Sequence, residues 1–152
     1  MIRYLAARPD VDAAHIVLWG DSFATANSSD FVFDQSDMQE AGPVRQHQAE
    51  SMGALLATLA GVYEDGVSAV AARGGLVSFR SVLEDRFSHV PQDIAVPGIL
   101  EIADIPDIVA AQTSRPMRLE ALVDGRNRTV REGAAGPNLA SWLAAQCARS
   151  NR

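Results

Sequence analysis

At 152 residues with 47% hydrophobic content, the chain is long enough for one domain with a real core and too short for two ordinary ones. Its net charge is −6 and its thirteen basic residues are all arginines scattered along the sequence, which excludes a basic stripe along a nucleic-acid backbone, a P-loop lysine and a Schiff-base mechanism. The single cysteine, Cys147, excludes an internal disulfide.

Met1 to Ala14 has neither a basic start leading into a long apolar core nor a small-residue cleavage site, so the chain as written is expected to be cytoplasmic. No apolar stretch approaches the roughly eighteen residues of a membrane span, and no membrane partner is expected. Ile2 to Ala7 reads as the end of a helix stopped by Pro9 and the turn-prone Asp10-Val11-Asp12. A strand follows at His15 to Trp19. Residues 26–46 are polar and irregular and read as a lid or insertion loop, with Phe31, Phe33 and Met38 as candidate pocket residues. Met52, Leu55, Leu56, Leu59 and Tyr63 then fall at helical spacing before Gly66, and that face is assigned to the core. Val67 to Ala72 is a continuous apolar run closed by Arg73-Gly74-Gly75, as expected of a strand covered on both faces.

Phe79, Val82 and Leu83 suggest a short helix, and Pro91 and Pro97 punctuate a loop. Asp104 is positioned to cap a helix with Pro106 in its first turn, running to about Gln112. A third strand is predicted from Met117 to Val123, ending at Asp124-Gly125. Pro137 opens a last amphipathic helix whose Leu139, Trp142, Leu143 and Cys147 share a face, which makes Cys147 a buried small hydrophobe. Strands alternating with helices predict crossover connections and a mainly parallel, three-layer α/β/α sandwich. Ligands gather at the carboxyl ends of the strands in such sheets, where Ser22 and Asp124 both fall.

The hexad Trp19-Gly20-Asp21-Ser22-Phe23-Ala24 carries the chemistry. An apolar strand that stops at Gly-x-Ser-x-Ala reads as a nucleophile elbow, a sharp strand-to-helix turn that lifts a serine hydroxyl above the sheet. Gly20 and Ala24 are small because strand and helix backbones nearly touch there. The run RPDVDAAHIVLWGDSFA resembles the elbow region of α/β-hydrolases of the dienelactone hydrolase and acetyl xylan esterase type. AVAARGGLVSFRSVLEDRF, VPGIL and SRPMRLEALVDGRNR are similar to the downstream part of that family, where a strand after an x-Arg-Pro turn delivers the triad acid. The resemblance implies Ser22 as nucleophile, Asp124 as acid, the Phe23 N–H as an oxyanion donor and a small-molecule ester as substrate.

Two departures accompany the match. The family places its general-base histidine after the acid, yet residues 125–152 contain none; the histidines are His15, His47 and His89. The chain also begins at the helix before the elbow strand, so it corresponds to the C-terminal half of a hydrolase fold, without the loop that supplies a second oxyanion donor. The isolated chain is therefore expected to be weak or inactive, needing a missing N-terminal half or a second copy. The alternatives are a non-catalytic relic or a module that binds a partner or itself through a bare sheet edge. Gly20-Asp21-Ser22 also resembles the first block of GDS-type esterases, although the late Asp-x-x-His block is approached only by Asp85-Arg86-Phe87-Ser88-His89. Arg73 and Glu120 read as a solvated charge pair and Asp21 as exposed on its turn. Asp34, Asp37 and Glu40 lack a histidine or cysteine at ligand spacing, so neither a metal nor a cofactor is expected.

Overall fold

The computed structural model describes residues 1–29, 47–84, 86–131 and 138–148. The architecture is mixed α/β around a parallel three-stranded sheet. A short helix, α1 (Ile2–Ala6), leads through a 3-10 turn into β1 (Ile16–Gly20). Helix α2 (Met52–Tyr63) returns the chain to β2 (Val67–Arg73), and α3 (Arg80–Leu83), two 3-10 turns and α4 (Ile105–Ala110) lead to β3 (Met117–Glu120). Strand order is β1-β2-β3, with both pairings parallel. Each parallel pair needs a crossover, and α2 and α4 lie in the two connections. A separate antiparallel pair, β4 (Leu122–Val123) with β5 (Thr129–Arg131), precedes the last helix, α5 (Leu139–Ala148).

β2 is the central strand, and its Ala69, Val70, Ala71 and Ala72 are almost completely buried, as its unbroken apolar run predicts. Among the described residues β1 pairs only with β2, so it is an edge strand and its Trp19 is half exposed. α2 spans the predicted residues but is rotated about its axis. Ala54, Leu55, Ala57, Thr58 and Gly61 are buried, whereas Leu56 and Tyr63, assigned to the core from spacing, are 58% and 80% exposed. The cause is close approach. A Cβ on Gly20 would stand 2.0 Å from the Gly53 carbonyl oxygen, and one on Gly61 2.8 Å from Val70 Cγ2. Only a small-residue face fits that distance, and Leu56 and Tyr63 are turned outward.

α4 begins where Asp104 and Pro106 predict. Asp104 accepts the N–H of Ile105, and the Asp107 carboxylate accepts the N–H of Asp104, a capping box. Arg115, of the Arg-Pro turn before β3, donates to the carbonyls of Glu64 and Val67 and so ties the α2–β2 turn to the start of β3. The strand predicted as Met117 to Val123 is broken at Ala121, whose φ of 48° is left-handed; β3 stays in the parallel sheet and β4 turns away to pair with β5. α5 packs on β1 and β2. Its buried residue is Gln146 rather than Cys147, because the stripe Leu139, Trp142, Leu143 continues at i+7 and leaves Cys147 exposed.

Candidate active site

Gly74 joins the three chain segments that leave the carboxyl end of the sheet. Its N–H donates to Glu120 O at the end of β3, its carbonyl accepts the Ser51 hydroxyl at the start of α2, and its Cα packs against Ser22. Its φ is +66°, and a Cβ there would stand 2.5 Å from Ser22 Cβ, so no side chain fits. One residue on, Gly75 accepts the Val123 N–H, and Asp124 follows. Ser22 and Asp124 therefore stand at the same end of the sheet, on the connections after β1 and β4.

The local structure at Ser22 departs from a strand-to-helix turn. Its N–H continues the β1–β2 ladder to Arg73 O at 3.1 Å and also reaches Asp21 Oδ1 at 2.9 Å. Its hydroxyl oxygen accepts the Ala24 N–H at 3.3 Å, a local serine turn. No helix follows directly: the helix that meets the end of β1 is α2, whose Gly53 rests on Gly20 and whose preceding residue, Ser51, is 1% exposed. The backbone contact expected between strand and helix is present, but the glycine pair that makes it is Gly20 and Gly53. Phe23 is 90% exposed, and its N–H meets no acceptor among the described residues.

Asp21 is not the exposed turn residue its position suggests. Its carboxylate is 12% exposed and lies 3.9 Å from the Arg73 guanidinium. Glu120 correspondingly pairs with the buried Arg118, at 2.6 Å, rather than with Arg73. Asp21, Glu50 and Asp93 line a cavity of about 330 Å³ with the first residues of α2, closed on one side by Pro91 and Ile94. Among the described residues no cluster of three or more histidine, cysteine or carboxylate side chains suits a metal ion.

Asp124 is buried and saturated. Oδ1 accepts the N–H groups of Arg126 and Arg128, both at 2.9 Å, and Oδ2 accepts Nε and Nη2 of Arg128 at 2.9 and 2.7 Å. A carboxylate offers about four acceptor sites, and all are used. A histidine can lean on this group only after Arg128 releases Oδ2. His15 lies before β1, at the other end of the strand from Ser22, with Nδ1 on the Asp12 carboxylate. At roughly 3.3 Å per residue that is about 23 Å away. His89 enters the loop cluster through its backbone, with its N–H on Gly125 O at 2.8 Å and its carbonyl on Ala49 N–H.

Two asparagines hold this corner together. Asn27 accepts the His47 N–H and donates to the carbonyls of His47 and Arg126; Asn127 donates to Thr25 O and His47 O and carries a left-handed φ of 58°. Their partners are distant in the sequence, and the only local signal is that asparagine tolerates the left-handed region after an Asp-Gly turn. Of the proposed lid, Ala26 packs against the core and Asn27 is clamped as described. Residues 30–46, including Phe31, Phe33, Asp34, Asp37, Met38 and Glu40, lie outside the described residues, as does Asp85. No family model, no curated protein and no solved structure matches the chain. Among the described residues no helix is long and apolar enough to cross a membrane.

Proposed function

We propose that this chain is a serine carboxylester hydrolase-type protein on a three-layer α/β-hydrolase unit, with Ser22 as nucleophile, the Phe23 N–H as one oxyanion donor and Asp124 as the relay carboxylate. The observation that carries the reading is the common position of Ser22 and Asp124 at the carboxyl end of a parallel sheet, bridged by Gly74 and Gly75. Acyl transfer would begin with Ser22 Oγ adding to an ester carbonyl while a histidine takes its proton; the carbonyl oxygen, now negative, would accept from Phe23 N–H; and water would later release the acyl group.

Turnover in the isolated chain is expected to be very slow. With Asp124 saturated by Arg128, the relay is disconnected. A fluorophosphonate probe should label the folded protein slowly and stoichiometrically at Ser22, and Ser22→Ala should abolish the label. A folded sample that takes no label would favour the second reading, a non-catalytic binding unit. The four filled acceptor sites of Asp124 and the engagement of Ser22 Oγ by its own turn support that alternative.

A further inference from the structure

A second, wider cavity of about 530 Å³ opens between α3 and the 3-10 turns Gln92–Ile94 and Ile99–Glu101. Its inner wall is Phe79, Val90 and Ile94, all buried members of the main core cluster. Ligand clefts have volumes of about 300–1,000 Å³, and this one is lined mostly by apolar side chains. Water is a poor occupant, because an ordered water needs two to four polar partners. The Ser88 hydroxyl, one of the few polar groups in the lining, already donates to Gly125 O and accepts the Val90 N–H. That leaves the Gln92 amide and the Glu101 carboxylate at the exposed mouth. Glu101 is the one charged lining residue described, with no cation beside it in the wall, so the cavity repels a carboxylate head, while Glu101 can accept from an alcohol hydroxyl and the Gln92 amide can donate to an ester carbonyl.

We propose that this cavity is a binding site for an uncharged aliphatic molecule, an alcohol or ester with a medium-length hydrocarbon chain. Pro91 and Ile94 also wall the cavity beside Asp21, so they form the partition between the two cavities. The binding itself does not need Ser22.

Calorimetric titration of the whole chain with n-hexanol, n-octanol and octanoate at pH 8 tests this. Saturable binding of n-octanol is expected, tighter than n-hexanol by about tenfold, since each buried methylene contributes roughly a factor of three to four. Octanoate should bind at least about tenfold more weakly than n-octanol. Ala95→Trp, which fills the mouth from an exposed position, should weaken n-octanol by about tenfold or more. Glu101→Arg, also at an exposed position, should bring octanoate to within about threefold of n-octanol, and this arm decides if Ala95→Trp does not fold. Ser22→Ala should bind n-octanol like the unaltered chain, so loss of probe labelling and loss of alcohol binding report on different claims. No saturable binding, no dependence on chain length, or octanoate equal to n-octanol in the unaltered chain would overturn the assignment.

Discussion

Asp104 gathers the hydroxyl of Ser78 at 2.5 Å and the N–H groups of Phe79 and Ile105 at 2.6 and 2.7 Å, joining the start of α3 to the start of α4. Burial pushes its carboxyl up, but the Ser78 hydroxyl and the N–H groups of Ile105, Phe79 and Arg80 outweigh that and hold it below the ordinary carboxylate value. A depressed folded value gives stability that is complete above the unfolded pKa of about 4 and is lost as pH falls through the folded pKa. Asp104→Asn should therefore cost about 1 kcal/mol at pH 7 and less at pH 3. Urea unfolding at the two pH values reads the difference. A gap that stays constant would mean that the charge on Asp104 does not matter. Asp124 is an acid of another kind, with every acceptor site filled by its own turn and by Arg128, which explains how an Asp-Gly turn can be a structural latch as readily as a catalytic position.

At the scale of elements, the strain at Ala121 is the price of sending β4 out of the parallel sheet. A left-handed alanine costs about 1–2 kcal/mol and a glycine there about half to one in chain entropy, so Ala121→Gly should stabilise the protein by about 0.5–1 kcal/mol. That corresponds to a rise in Tm of about 1–4 °C by calorimetry, and a fall would show that the alanine methyl packs better than it strains. The spans of α2 and β2 and the cap of α4 were legible in the sequence because they follow from local signals: periodicity, an unbroken apolar run, an Asp two residues before Pro106. Which face of α2 is buried was not, since it depends on Gly20 and Gly53 meeting across the fold. The break at Ala121 and the exposure of Cys147 were equally hidden, one set by the separate β4–β5 pairing and the other by a single-residue difference in helix phase.

Over the whole molecule, the alternation of strands and helices was enough to put Ser22 and Asp124 at one end of the sheet. The Asn27–Asn127 clamp was out of reach, because it joins loops far apart in the chain through carbonyls that any residue carries. The sheet has two edges among the described residues, and β1 contains no charge or proline to discourage pairing with a second copy. Its half-exposed Trp19 adds apolar surface beside that edge. Net charge −6 keeps copies apart at neutral pH, and that repulsion vanishes near the sequence pI of about 4.9. Sedimentation should show monomer at pH 8 and a growing dimer fraction at pH 5, suppressed by Trp19→Lys. Profiles that ignore either change would remove edge pairing as the route of association.

The meeting of Gly20 with Gly53 has a topological side. On the way between them Asn27 and His47 are hydrogen-bonded to each other, so the stretch that joins those two residues has ends that meet whatever its length. Doubling such a detour adds only about 0.6 kcal/mol of closure entropy. A change of length between Asn27 and His47 is therefore cheap in closure entropy, which makes this seam a natural place for the protein to acquire a different specificity.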